Sequence, residues 1–458
     1  MRLLIVSVSY WSGGGCFGST YSSIFGGIPG LEIAQVYFNL RLPVPETPPN
    51  VTRFFRIGVK QALSSILTRR WAGSEVQRAD AGSDTPPRNT EPETADCTQS
   101  DANLVAFFRR NHWTWLKWLN YWLTAKFGRW QSPRLRQFIE EFRPDAIWVD
   151  ATPTMPSLAA ALYIKKLTGL PLTGYVYDEH YSLKRLRFSP AFWLYRFACR
   201  PYIRRVFRAS EFFYTISQAQ KEYYEKKFGT ECRILTRCAD FSGDPPPERQ
   251  RDPNEPLTLL YTGNLSNGRG ETILCAARAL RRVDAAARID VYSAQPAPAR
   301  LLRVFEEAGN IRFQGALSGA EAVRKQRQTD ILLFVEGTSL SYRLAAQKAF
   351  STKIVDYLHA ARPILAVGPR EMNSIAYFDR HGCGLTAETE PEITGALKRL
   401  LADPGLQQRL TAAAWRTGQM FHDRAAAQRR LGEQLESLAR ARARAKGQDA
   451  FPPTSKND

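Results

Sequence analysis

The chain has 458 residues, 44% of them hydrophobic, and a formal net charge of +19 at pH 7. It is long enough for two or three domains, each with its own core. It has no run of 18 apolar residues, so no spanning helix is expected, and the opening Met1-Arg2-LLIVSVS is too short for a secretory h-region, so a cytoplasmic protein is expected.

In chain order, residues 2–9 (RLLIVSVS) form a continuous apolar run suited to a buried parallel strand, followed by the glycine loop WSGGG. A second strand is expected at residues 32–38. The stretch 43–49 is Pro-rich, and 71–103 is made of Gly, Ser, Thr, Pro, Asp and Glu with almost nothing to bury, which reads as a loosely held or disordered insertion. Strands are then expected at 146–149, 172–177 and 211–215, alternating with helices at 157–168, 191–207 and 218–228. The segment 239–256, with its DPPPERQRDPNEP core, reads as a linker. Beyond it the alternation repeats, with strands at 257–261, 288–292, 311–313, 331–334 and 364–366. The chain ends in an Arg/Ala-rich helical stretch and a tail, FPPTSKND.

Basic charge attracts nucleic acid, anionic lipid or phosphorylated substrates. Nucleic acid is disfavoured because no helix-turn-helix, RRM, KH or zinc-finger pattern occurs. From Phe107 to Trp130 the chain reads FFRRNHWTWLKWLNYWLTAKFGRW, with five Trp, five Lys/Arg and no acid; indole rings and cations together suit an anionic membrane surface. A second cluster, from Lys184 to Arg208, has eight Lys/Arg and no acid among aromatics; it reads as a core-packing helix with a snorkelling basic rim. The seven cysteines are scattered with no C-x-x-C pair, so neither a zinc site nor a disulfide framework is expected.

The segment from Ala349 to Gly368 (AFSTKIVDYLHAARPILAVG) concentrates chemistry. Ser351 or Thr352 can cap a helix whose apolar positions Phe350, Ile354, Tyr357 and Leu358 recur at helical spacing. Lys353 then sits in the first turn, where a cation opposes the helix dipole unless an anion binds there. Asp356, one turn on, is an acceptor-only carboxylate able to grip vicinal ribose hydroxyls; without a ligand the two are an exposed Lys–Asp pair.

The strings EPLTLLYTGNLSNGRGETILCAARAL, NIRFQGALSGAEAVRKQRQTDILLFV and FSTKIVDYLHAARPILAVG resemble the carboxyl-terminal domain of GT-B glycosyltransferases of family 4 (glycosyl transferases group 1). RPDAIWVD, GLPLTGYVYDEH and ASEFFYTISQAQKEYYEKKFG resemble that family's amino-terminal domain; the insertion 41–132 is not covered by the likeness. The resemblance implies an α/β chain of two doubly wound Rossmann-like domains facing across a cleft. They would be an acceptor-side domain at 1–238, the linker at 239–256, a nucleotide-sugar domain at 257–420, and a terminal helix and tail at 421–458.

The same resemblance assigns donor contacts to Gly13, Gly14, Gly15, Gly263, Asn264, Arg269, Lys353 and Asp356, and acceptor or sugar contacts to Asp178 and His180. Asn264 replaces one of the family's two diphosphate cations, and Lys353 is placed to supply the missing charge. The family's E-x7-E signature keeps its second acid as Asp356, but Lys348 stands in place of the first. No D-x-D pair occurs, so no metal is expected. The implied function is transfer of a hexose-type sugar from a UDP- or GDP-linked donor, with retention, to a lipid-linked or cell-surface glycan precursor at the inner face of the membrane. Alternatives are a sugar-nucleotide epimerase of the same fold and a non-catalytic subunit.

Overall fold

The computed structural model describes residues 1–11, 15–38, 48–77, 114–249, 251–252 and 254–448. Two compact units form: Met1–Tyr181, Arg187–Leu235 and the chain from Gln428 onward make the first, and Ser182–Leu186 with Thr236–Ala427 make the second. Residues 239–256, read as a linker, therefore lie within the second unit.

In the first unit the strands are β1 (Arg2–Ser7), β2 (Glu32–Tyr37), β3 (Val51–Arg56), β4 (Ser74–Val76), β5 (Ala146–Asp150), β6 (Leu172–Val176), β7 (Phe213–Thr215) and β8 (Cys232–Ile234). They form one sheet in the order β4-β3-β2-β1-β5-β6-β7-β8, parallel except between β3 and β4. Helices α1 (Gly15–Phe25), α2 (Val59–Thr68), α3 (Thr114–Phe127), α4 (Pro133–Phe142), α5 (Met155–Thr168), α6 (Pro190–Ala209) and α7 (Gln218–Phe228) connect them. The run from Leu3 to Val6 is wholly buried, as a central parallel strand covered on both faces must be. Local chemistry sets the helix ends. Ser132 Oγ accepts from Leu135 N at 3.1 Å with Pro133 at the first position of α4, and Ser217 Oγ accepts from Gln220 N at 3.1 Å before Gly229 closes α7 in the left-handed region.

One expectation is corrected here. The stretch 71–103, expected to be loosely held or disordered, contributes β4 near its start, which pairs antiparallel with β3 at the edge of the main sheet, and Phe55 of β3 packs on Phe138 of α4 with ring centroids 5.4 Å apart. Residues 78–103 of that stretch lie outside the described residues, as do 41–47 and 104–113 of the insertion and the tail from residue 449.

The second unit holds β9 (Thr258–Thr262), β10 (Arg288–Tyr292), β11 (Ile311–Gly315), β12 (Ile331–Val335), β13 (Ile364–Val367) and β14 (Leu385–Ala387). Its helices are α8 (Arg269–Val283), α9 (Ala299–Ala308), α10 (Gly319–Gln328), α11 (Leu340–Ala346), α12 (Lys353–Ala360), α13 (Asn373–His381), α14 (Glu390–Ala402) and α15 (Pro404–His422). A last helix, α16 (Arg424–Gln448), begins here and joins the first unit from Gln428. The sheet order is β11-β10-β9-β12-β13-β14 with every pair parallel, so the winding direction reverses between β9 and β12. Ligands of open α/β sheets bind outside the carboxyl ends of the strands at such a reversal.

Candidate functional site

At that reversal in the second unit, several of the sequence-predicted residues converge. Gly263 follows β9 with φ of +150°, and a Cβ there would stand 2.5 Å from Lys353 Nζ, so only glycine gives this backbone its path beside the lysine. Lys353 Nζ donates to the Tyr261 hydroxyl at 3.1 Å and lies over the Tyr261 and Phe334 rings at 4.4 and 5.6 Å. Asn264 Oδ1 accepts from Arg269 Nη1 and from Ser266 Oγ, both at 2.8 Å.

Arg269, the first residue of α8, is almost wholly buried, and its Nη2 donates to Glu336 Oε2 at 2.9 Å. Tyr342 on α11 donates to the same carboxylate oxygen at 2.6 Å and presents its ring to the guanidinium at 5.0 Å. Glu336, directly after β12, is 2% exposed; this buried charge is tolerable because it is paired and hydrogen-bonded. Arg269 is thus held by Glu336, Tyr342 and Asn264, while its buried Nε has no partner among the described residues.

The loop carrying Glu336 is tightly set. A Cβ on Gly337 would run into the carbonyl oxygen of Asn267, which is backbone and cannot rotate away. Gly337→Ala is expected to cost about 1–3 kcal/mol, as overpacking does, and to lower the urea midpoint without changing the slope.

Lys353 opens α12, in the first turn as expected, and Asp356 falls within that same turn rather than one turn on. The expected Ser/Thr cap is not made: Thr352 is in helical conformation with no side-chain cap bond, and Ser351 N donates instead to Ser374 Oγ at 3.2 Å. Asp356 Oδ2 accepts from Arg237 Nη1 at 3.0 Å. Burial pushes the Asp356 carboxyl above its ordinary value, and Arg237 and Lys353 oppose that rise. Arg237, Glu336 and Tyr342 are site residues that sequence reasoning missed. Glu336 had a legible signal, a single acid closing the apolar run ILLFV, whereas Arg237 sits in an irregular stretch 119 residues from its partner.

In the first unit, Asp178 and His180 follow β6 at its carboxyl end, Asp178 exposed and His180 half-buried. Glu179 between them turns inward, 3.6 Å from Arg196 of α6, and its Oε1 accepts from Tyr181 N at 2.7 Å. Gly15 is the first residue of α1, while Gly13 and Gly14 lie outside the described residues. A further unforeseen group is Asp150, the last residue of β5, at the unit's own reversal between β1 and β5. Asp150 is 2% exposed and accepts from the Tyr21 hydroxyl, which in turn accepts from Trp148 Nε1 at 2.7 Å. Burial pushes the Asp150 carboxyl up to about 7, and these hydrogen bonds pull it only part of the way back.

Residues 66–238 match the model of the glycosyl transferase 4-like domain. The chain has the GT-B glycosyltransferase fold. Among solved structures, the GT-B chain is similar to sucrose-phosphate synthase from Thermosynechococcus elongatus, at 11% identity over 96% of this chain and 99% of that one, with a TM-score of 0.60. It is similar to a trehalose-6-phosphate protein from E. coli bound with UDP-2-fluoro glucose, at 11% identity over 95% and 99% of the two chains, with a TM-score of 0.58. It is also similar to Anabaena HepE in complex with UDP, at 12% identity over 95% and 100%, with a TM-score of 0.55. No curated protein matches the sequence. The match beginning at residue 66 takes in part of the insertion that the sequence likeness had left uncovered.

Proposed function

We propose that this chain transfers a hexose-type sugar from a nucleoside-diphosphate donor to a glycan or lipid-linked acceptor. The observation that carries the reading is the convergence of Gly263, Asn264, Arg269 and Lys353, with the Asp356–Arg237 pair beside them, at the reversal of the second sheet. UDP-bound neighbours of the same fold support a nucleotide-sugar donor.

In this reading Asp356 accepts from the ribose hydroxyls, and the Gly263–Asn264 turn admits the diphosphate close to the backbone. Breaking the sugar–phosphate bond moves negative charge onto the departing diphosphate, and Lys353 and Arg269 answer it without a metal. Glu336 and Tyr342 fix the orientation of the Arg269 guanidinium. Asp178 and His180 contact the acceptor or the transferred sugar. With Lys348 in place of the signature's first acid, the leaving phosphate itself takes the acceptor's hydroxyl proton, on the face that retains configuration. Cells carrying Arg269→Ala or Asp356→Ala in place of the wild-type protein are expected to lose the glycan as completely as the deletion does. Normal glycan in both variants, with loss only on deletion, would make the protein a non-catalytic subunit.

The acceptor side of the proposal rests on α3 and α6. Trp118 stacks on Tyr195 at 5.9 Å, and Trp115, Trp122, Leu119 and Leu194 line an apolar groove of about 280 Å³. Trp130, expected at the membrane, is instead a core residue whose Nε1 donates to Thr124 O at 3.0 Å; residues 107–113 lie outside the described residues. The second basic cluster exposes more apolar surface than a core helix should, with Leu194 71% and Phe188 92% exposed. No described helix is long and apolar enough to cross a membrane, so the proposed contact is interfacial. The protein is expected to float with anionic liposomes at low salt and Leu194→Glu to stay at the bottom of the gradient; wild type that stays down would end this part of the proposal.

A further inference from the structure

At the opposite, amino ends of the second unit's strands lies a cavity of about 240 Å³, lined among others by Glu248, Arg249, Arg251, Asp330, Arg362 and Thr411. Arg362, between α12 and β13, is 7% exposed, and among the described residues its guanidinium donates only to backbone carbonyls: Nε to Arg327 at 2.8 Å, Nη1 to Ala361 at 2.7 Å and Nη2 to Pro247 at 2.9 Å. Those contacts orient the group without neutralising it.

The acids nearby are already engaged. Asp330 is taken by Arg249 at 3.1 Å and by the Thr258 N–H at 2.8 Å, Glu255 by Arg249 at 2.9 Å, and Glu248 by Gln408 at 3.3 Å. Arg362, Arg251 and Arg327 have no ion-pair partner among the described residues, and the Arg327 Nε is buried without a hydrogen bond. Burial and the neighbouring Arg249 and Arg327 push the Arg362 guanidinium below its ordinary value, with only Glu248 acting the other way. A guanidinium carries five N–H donors, so two remain after the three carbonyl contacts, and Arg362 is one of the residues lining the cavity.

We propose that this cavity binds a small phosphate-bearing anion, held by Arg362 and Arg251, at a site separate from the candidate donor site. A cavity of this size takes an inorganic diphosphate or a sugar phosphate rather than a whole nucleotide sugar. The inference does not depend on the transferase reading.

The test is calorimetric titration of the full chain with inorganic phosphate, diphosphate and a hexose 6-phosphate, in a Lys353→Ala background that disables the candidate donor site. Saturable one-to-one binding is expected for at least one of them, and the tighter of diphosphate and hexose phosphate identifies the source. Arg362→Gln removes three backbone contacts and would confound binding with folding. The decisive variants are therefore Thr411→Glu, which places a carboxylate in the cavity, and Arg251→Gln on its exposed rim. Each is expected to weaken binding at least tenfold, and Thr411→Glu is expected to raise the melting temperature in phosphate-free buffer. No saturable binding, or binding unchanged in Thr411→Glu, overturns the proposal.

Discussion

Replacing Asp356 by Ala is expected to weaken binding of the nucleotide-sugar donor about a hundredfold, since two hydrogen bonds from ribose hydroxyls to a charged acceptor contribute about 1.5 kcal/mol or more each. The loss is expected at the donor and not at the acceptor, because Asp356 lies in the first turn of α12 beside Lys353. Some of the effect will fall on the fold itself. Arg237 loses its carboxylate partner at a site where the two side chains are 28% and 23% exposed, which is expected to cost about 1–2 kcal/mol. Asp356→Asn separates the two effects, since it keeps an acceptor oxygen for Arg237 and removes the charge. Calorimetry with the donor and urea unfolding of both variants check this. Donor affinity unchanged in Asp356→Ala would remove the carboxylate from the ribose.

The second large effect is a pH dependence centred on Asp150. Its carboxyl is raised from 3.8 to about 7 in the folded state, chiefly by burial, so the folded chain holds a proton that the unfolded chain releases. Stability therefore falls as pH rises through that window: below about 4 both states are protonated, and above about 7 the full penalty of the buried charge is present. The shift corresponds to a loss on the order of 4 kcal/mol between those limits. Asp150→Asn keeps an oxygen to accept from Tyr21 and cannot ionise. The variant is expected to match wild type in urea at pH 4 and to exceed it clearly at pH 8. Equal stability at both pH values would mean that Asp150 ionises freely in the folded chain.

What the sequence made legible follows from how much of each signal is local. Continuous apolar runs located β1 and β12, β10 (RIDVY) shows the alternation of a strand, and α7 carries its own start and stop in Ser217 and Gly229. The strand β3 escaped because Val51–Arg56 (VTRFFR) has neither alternation nor a continuous apolar run; its place is set by pairing with β2. Within the site, Gly263, Lys353 and Asp356 belong to recognisable strings. Arg237 and Tyr21 do not, since each acquires its role from a carboxylate far along the chain. Asp150 and Glu336 share a pattern that local reading undervalues, an acid closing a fully buried strand at the end where an open sheet binds its ligands.

The Trp-rich segment shows the converse. Counting indoles suggested a surface feature, yet Trp130 is a core residue, and the second cluster, read as core-facing, contributes Leu194 and Phe188 to the exposed face. Periodicity could not separate these outcomes, because aromatic side chains with polar tips serve both a core and an interface.

The central claim is that the carboxyl ends of the second sheet bind a nucleotide sugar. A thermal-shift measurement of the full chain against a panel of sugar nucleotides tests it most directly, since a ligand at a hundredfold excess over its Kd stabilises the folded state by about 2.7 kcal/mol. A clear upward shift is predicted with one donor, lost in Asp356→Ala and in Arg269→Ala; no shift with any nucleotide sugar would contradict the claim.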